Sequence, residues 1–192
     1  MNHTIAVLVE NQFGVLARVS GLFSARGFNI DSLTVGETQD PAVSRMTIVV
    51  NGDDRVLDQI MKQLDKLVNV IKVVDLTQEE TIDRELLLVK VGASPANRAD
   101  IIQIVNTFRA KIVDVNPHSV TIEVTGTESK LDAMLELLRP FNIEELVRTG
   151  LISVVRKKVI ACAEAAPVKT GKTGKPAKSK SKKIKEAEAS EA

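Results

Sequence analysis

The sequence contains a single cysteine and no tryptophan or tyrosine. One cysteine, Cys162, can form neither a disulfide within the chain nor a cysteine cluster for a metal, and such a count is ordinary in a reducing compartment. The aromatic fraction is 3%, all of it phenylalanine, so side chains on which bases or sugars could stack are scarce.

Long apolar runs are also missing. No stretch approaches the roughly 20 apolar residues that a membrane-spanning helix needs. The N-terminus lacks the order of basic, apolar and small residues typical of a secretory signal peptide, because strand-forming residues begin almost at once. We therefore expect no membrane segment and a cytoplasmic location.

The chain as a whole has almost no net charge, but its parts differ in the sign of theirs. The formal net charge is +1, yet residues 165–192 contain 8 lysines and 3 glutamates, while the remainder carries 18 basic and 22 acidic side chains. The segment 159–192 has too few apolar residues to form a core, so we predict a disordered, lysine-rich tail. A solubilising role is favoured over weak binding of polyanions.

The rest of the chain alternates twice between strand-like and helix-like patterns. In the first pass the predicted strands are 3–9, 28–35, 43–51 and 68–76, with helices from residue 15 and from 53 or 54 to about 67. In the second pass the strands are 85–91, 111–115, 120–125 and 143–155, the last interrupted near Gly150, with helices opening at 94–95 and covering 131–141. Both passes have the order βαββαβ. The pattern predicts an α+β fold of two tandem ferredoxin-like domains, 1–77 and 84–158, joined by a linker at 78–83.

The two passes also share sequence, which indicates an internal repeat. Thr47-Ile48-x-Val50-x-Gly52 matches Thr121-Ile122-x-Val124-x-Gly126, and the hairpin 34–44 is longer than its counterpart. The halves differ at the positions where a ligand could bind. Asn11-Gln12-Phe13-Gly14 aligns with Ala93-Ser94-Pro95-Ala96, and Asn29 aligns with Lys111. A ligand bound at this turn would therefore belong to the first half.

The turn before the first helix has the chemistry of a small anion site. Gly14 permits close backbone approach, and the N–H groups of Gly14, Val15 and Leu16 at the positive end of the helix dipole can hold a carboxylate. Asn11 and Asn29 can donate and accept hydrogen bonds, and Ile30, with Val15 and Leu16, supplies an apolar lining. Together they predict a site for a small aliphatic amino acid. The alternative is that Asn-x-x-Gly serves only as a turn and helix cap.

Catalysis by this chain is not indicated. His3 lies at the terminus and His118 in a turn, and neither has sequence neighbours that complete a catalytic triad or a metal-ligand set. Cys162 adjoins the polar tail, a poor place to lower a thiol pKa. We therefore predict no catalytic and no metal-binding residue.

Nucleic-acid binding is the natural alternative, because RNA-recognition modules share the βαββαβ order. Those modules stack bases on aromatic residues of two central strands. The corresponding segments here, 5–9 and 45–50, contain no aromatic residue, and the body of the chain is acidic. Both observations disfavour nucleic acid as a partner.

The sequence resembles the small regulatory subunit of acetolactate synthase (acetohydroxyacid synthase), over roughly residues 4–156. The N-terminal likeness is carried by Glu10-Asn11-x-x-Gly14-Val15-Leu16-x-Arg18-Val19-x-Gly21-Leu22-Phe23-x-x-Arg26-Gly27-x-Asn29-Ile30-x-Ser32-Leu33-x-Val35 and Ser44-Arg45-Met46-Thr47-Ile48. The C-terminal likeness is carried by Leu88-Val89-Lys90, Ile112-Val113-Asp114-Val115, Gly126-Thr127-x-x-Lys130-Leu131-Asp132 and Arg148-x-Gly150.

This resemblance implies an N-terminal ACT domain that binds valine and forms a homodimer. It also implies a catalytic large subunit as partner, which would hold thiamine diphosphate, Mg²⁺ and FAD, with no cofactor in this chain. The chain would activate that subunit and make it sensitive to valine in the biosynthesis of valine, isoleucine and leucine. The effector positions implied are Asn11, Gly14, Val15, Leu16, Asn29 and Ile30. A stand-alone amino-acid sensor of the ACT type is the alternative.

Overall fold

The first half of the chain folds as a four-stranded antiparallel sheet with two helices. In chain order the elements are β1 (Asn2–Glu10), α1 (Val15–Ala25), β2 (Ser32–Glu37), β3 (Val43–Asn51), α2 (Asp54–Leu64) and β4 (Val70–Asp75). The strand order is β2-β3-β1-β4. Both helices bury their apolar sides against one face of the sheet, where Phe23, Ile60 and Leu64 pack on the core strands. The predicted ferredoxin-like arrangement is confirmed for this half.

The second half repeats the arrangement. Its elements are β5 (Thr81–Gly92), α3 (Arg98–Thr107), β6 (Lys111–Val115), β7 (Ser119–Gly126), α4 (Glu128–Leu138), β8 (Ile143–Arg148) and β9 (Ile152–Val155). The strand order is β6-β7-β5-β8, and β9 pairs separately with β5. Ile101, Leu131 and Met134 of the helices are fully buried on the sheet.

The predicted interruption near Gly150 is confirmed. Gly150 has φ +87° and separates β8, which pairs with residues 87–91 of β5, from β9, which pairs with residues 81–84. One long strand, β5, thus pairs with two short ones.

Five helices and strands have a bound that differs from the sequence prediction by three residues or more. The strand β5 begins at Thr81 instead of residue 85, because residues 81–84 gain a partner in β9, and this draws the end of the predicted linker 78–83 into the sheet. The helix α3 begins at Arg98 instead of residue 94, since the Asn97 side chain accepts from the Ser94 amide and closes a turn there. The strand β2 begins at Ser32 instead of residue 28, α2 ends at Leu64 instead of about residue 67, and α4 begins at Glu128 instead of residue 131.

The computed structural model describes residues 1–156 of the chain. The predicted disordered tail, residues 159–192, and Cys162 lie outside the described residues. Within the described residues, both sheets belong to one compact unit. The domain boundaries at 77 and 84 therefore stay a prediction.

The second half contacts the sheet of the first half on the face opposite its two helices. Ala6 and Leu76 form a small buried cluster with Val155 of β9. The Arg45 guanidinium of β3 donates to the Ser153 carbonyl at 2.7 Å. The ribbon formed by β9 and the start of β5 thus covers part of the first sheet.

Candidate functional site

Gly14 immediately precedes α1 and adopts φ +80°, in the left-handed region that favours glycine. A Cβ built at this position would meet no heavy atom within 4 Å, so the backbone is open to an approaching group. No side chain caps α1, and its first turn contains no acidic residue. The positive end of this helix is therefore neither capped nor neutralised by its own residues.

Two of the three predicted amides remain available at this turn. The Val15 amide donates to the Gln12 carbonyl at 3.4 Å, so the expectation of a free N–H at Val15 is wrong: the turn itself uses that donor. Within residues 1–156, the amides of Gly14 and Leu16 have no hydrogen-bond partner. The Val15 side chain is buried in the core, while Leu16 is 45% exposed beside the turn. Gly14 and Leu16 thus supply the donors, and Leu16 supplies exposed apolar surface.

The Asn11 side chain is held by the connection between β2 and β3. Its Nδ2 group donates to the Pro41 carbonyl at 2.9 Å and to Glu37 Oε1 at 3.1 Å, which uses both of its N–H bonds. The Asn11 amide also donates to the Ala42 carbonyl at 2.7 Å. The group left to meet a ligand is the Oδ1 acceptor, which is suited to an ammonium donor.

Asn29 and Ile30 lie between α1 and β2. Asn29 is exposed, and its Nδ2 group donates to Asp31 Oδ1 at 2.6 Å, so one N–H bond remains. Ile30 is partly buried against the core of the first half. This segment offers a polar amide next to an aliphatic side chain.

One copy of the chain does not bring the two asparagines together. Asn11 follows β1, where Glu10 pairs with Val43, whereas the Asp31 amide donates to the Val49 carbonyl. These two points on β3 are six residues apart, about 20 Å at the rise of an extended strand. The structure groups Asn11, Gly14 and Leu16 at one end of β3 and places Asn29 and Ile30 towards the other.

Three residues near the turn were missed by sequence reasoning. Glu37 and Pro41 hold Asn11, and the extra length of the hairpin 34–44 was the signal that could have identified them. Phe13 was read only as part of the turn, but its side chain is fully exposed. Its isolation among polar turn residues could have indicated this exposure.

Within residues 1–156, neither a cluster of metal ligands nor a helix long enough to span a membrane is found. His3 is buried, and its ring lies 3.2 Å from the Gly52 carbonyl and 3.5 Å from Thr77 Oγ1, a structural role. Within residues 1–156, no three His, Cys, Asp or Glu side chains are grouped to hold a metal ion. The longest helices of this region have 11 residues, about half of what a bilayer requires, so none is a candidate membrane span.

Two family models match the chain in succession. Residues 5–72 match a model described as an AHAS small subunit-like ACT domain, and residues 84–157 match one described as the small subunit of acetolactate synthase. The first match covers the turn at Gly14 and the segment at Asn29. The second covers most of β5 and everything that follows it in the described region.

Named relatives match this chain over nearly their whole length. A probable acetolactate synthase small subunit from Archaeoglobus fulgidus is 56% identical over 156 residues, which are 81% of this chain and 98% of the relative. The acetolactate synthase small subunit of Mycolicibacterium smegmatis is 55% identical over 80% of this chain and 92% of its own. The crystal structure of the acetolactate synthase small subunit from Thermotoga maritima is 42% identical, with a TM-score of 0.77, over 83% of this chain and 99% of that one.

Proposed function

The chain belongs to the acetolactate synthase small-subunit family, and from that premise we propose that it activates a catalytic large subunit and makes it sensitive to valine. The catalytic partner would hold thiamine diphosphate, Mg²⁺ and FAD and carry out the chemistry. This chain would hold the effector. The assembly would serve the biosynthesis of valine, isoleucine and leucine, in which valine is an end product and a suitable feedback signal.

The observation that carries the proposal is the open, uncapped turn at Gly14. The free amides of Gly14 and Leu16, at the positive end of α1, suit the carboxylate of an amino acid. The Asn11 Oδ1 atom is the remaining acceptor for the ammonium group. Leu16 lies exposed for the aliphatic side chain. The groups at this turn thus correspond one by one to the parts of valine.

A second copy of the chain would complete the site. The strand β2 is an edge strand, so a copy related by a two-fold axis can approach it. A two-fold axis reverses the direction of the second copy, which would bring its Asn29 and Ile30 next to the Asn11–Gly14 turn of the first. The separation of about 20 Å within one copy, derived from strand rise, supports a shared site of this kind. Two equal sites per dimer follow from the symmetry.

The position of the ligand between two copies would allow it to regulate the catalytic subunit. A ligand shared by two copies stabilises the dimer geometry that it fits best, by its difference in affinity between geometries. The catalytic subunit would respond to that geometry. Discrimination between valine and leucine is expected to be modest, because one methylene group contributes only about 1–3 kcal/mol.

Two measurements on the full-length chain test the proposal together. Calorimetric titration with valine should show binding of one valine per chain, that is, two per dimer. Addition of the chain to an acetolactate synthase large subunit should raise its activity and make it sensitive to valine. Valine binding without any effect on the large subunit would favour the stand-alone sensor. Absence of valine binding would contradict the site.

A further inference from the structure

The segment Thr149–Gly150–Leu151, which we call the junction, crosses from the second half onto strand β2 of the first. The Leu151 amide donates to Ser32 Oγ at 3.1 Å, and the Thr34 hydroxyl donates to the Thr149 carbonyl at 3.4 Å. Both hydroxyls belong to the strand that directly follows Asn29 and Ile30. The junction therefore touches the chain two residues from a proposed effector position.

Gly150 is required at the junction for two separate reasons. Its φ of +87° is unfavourable for any side chain. A Cβ built here would also lie 2.7 Å from Ser32 Oγ and 2.9 Å from Thr34 Oγ1, closer than van der Waals contact permits. A larger residue would require either the Ser32 and Thr34 hydroxyls to rotate or the junction to shift, and either change disturbs the hydrogen bonds between the junction and β2.

The other side of the junction is fixed within the second half. The Thr149 amide donates to the Leu86 carbonyl at 3.0 Å, and the Leu86 amide donates to Thr149 Oγ1 at 3.1 Å. The preceding residue, Arg148, hydrogen-bonds Asp132 of α4 and lies 3.5 Å from Glu85 of β5, which is 7% exposed. The hydrogen bond to Asp132 raises the pKa of the guanidinium, so this anchor keeps its charge. The junction moves with the second half.

The effector segment has contacts that would pass a displacement to the junction. The Asn29 side chain donates a hydrogen bond to the Asp31 carboxylate, and the Asp31 amide donates to the Val49 carbonyl of β3. The next residue, Ser32, is the first of β2. A cavity of about 660 Å³ adjoins this path and is lined by residues of both halves, among them Asp31 and Arg148.

We propose that the junction, held against Ser32 and Thr34, couples occupancy of the valine site in the first half to the position of the second half. The inference rests on the proposed function, because it assigns the route by which that site is regulated. Ligand that fixes Asn29 would fix the start of β2. Ser32 and Thr34 would then fix the junction, and with it β8 and α4 through Arg148. Gly150, Ser32 and Thr34 are positioning residues in this account, since none of them touches the ligand.

The test separates binding of valine from its effect. In full-length chains, Gly150→Ala disturbs the contact of the junction with the Ser32 and Thr34 hydroxyls, whereas Ser32→Ala removes only the oxygen that accepts from the Leu151 amide and introduces no backbone strain. Calorimetry should give a valine Kd within about twofold of the unaltered chain for both variants. With the large subunit present, the valine concentration for half-maximal inhibition should rise by about fivefold or more, the lower end of typical coupling factors.

The control is Thr107→Val, which, like Ser32→Ala, removes a hydroxyl that hydrogen-bonds the backbone. Here the hydroxyl donates to the Gln103 carbonyl within α3, away from both sites. This variant should change neither the Kd nor the inhibition curve. Unchanged inhibition in both junction variants would overturn the inference, as would a parallel loss of binding and inhibition. If the unaltered chain bound no valine, the proposed function would fail and the inference with it.

Discussion

The two halves share one order of elements but treat the start of their first helix differently. In the first half, Gly14 leaves α1 uncapped, with no acidic residue in its first turn. In the second half, Asn97 accepts from the Ser94 amide at 2.7 Å, and Asp100 lies in the first turn of α3. Neither helix start is capped by a side chain. The difference is that Asp100 places a negative charge at the positive end of α3, whereas α1 has no such charge and its Leu16 amide has no hydrogen-bond partner within residues 1–156.

The hydrogen bonds next to the two helix starts also differ. The second half uses its polar groups for internal contacts: Arg98 Nη2 donates to the carbonyls of Asn116 and Pro117 next to the same turn. The Arg98 amide also donates to the Ser94 carbonyl at 3.0 Å, whereas the amide of Leu16, its counterpart in the first half, has no hydrogen-bond partner among residues 1–156. A site that lacks internal partners is less stabilised by its own contacts and has donors free for a ligand.

The largest effect is expected from Gly14→Asp. The new carboxylate would occupy the place proposed for the valine carboxylate, and the left-handed backbone adds strain. The valine concentration for half-maximal inhibition should rise by about 100-fold or more, with activation of the large subunit largely kept. The matched control is Ala96→Asp at the corresponding position of the second half. If Ala96→Asp lost sensitivity and Gly14→Asp did not, the roles of the halves would be reversed.

A smaller effect is expected from Asn29→His. An imidazole would overfill the space next to Asp31 and lose the amide donor, so inhibition curves should shift by about 10-fold or more. Lys111→His, at the counterpart position in β6, is the control and should leave the curves unchanged. Equal valine inhibition curves for Asn29→His and the unaltered chain would contradict the proposal that a second copy contributes to the site.

The ion pair between Arg148 and Glu85 is expected to stabilise the second half. Arg148→Leu leaves the buried Glu85 carboxylate without its cation and should lower the free energy of unfolding by about 1–3 kcal/mol. Arg139→Leu breaks an exposed pair with Glu136 and should change it by less than about 1 kcal/mol. Urea unfolding monitored by circular dichroism measures both. Similar losses in the two variants would mean that the anchor of the junction is no stronger than a surface ion pair.

The smallest effect is expected from removal of residues 165–192. Truncation before Ala165 should leave both activation and valine inhibition unchanged, because the proposed functions are assigned to the two halves. The assay of the large subunit with and without valine measures this. A large loss of either activity would assign a function to the lysine-rich tail and show that the two halves alone do not account for regulation.

Local sequence patterns predicted elements whose partners lie nearby or whose ends carry strong turn signals. The bounds of β3 and β6 agree with the prediction, and Asp53 caps α2 by accepting from the Val56 amide at 2.8 Å. The start of β5 was wrong because it depends on β9, about 70 residues further along the chain. The start of α3 was wrong because a side-chain hydrogen bond competes with helix formation there.

By itself, the sequence determined the glycine turn, the helix that follows it and the difference between the halves at this point. These features are local, since backbone freedom and helix polarity depend on a few adjacent residues. Only the tertiary structure decided that Asn11 is held by the hairpin of β2 and β3, that Asn29 lies towards the other end of β3, and that Gly150 contacts Ser32. Those facts follow from strand register and from packing between the halves, which join residues far apart in the chain.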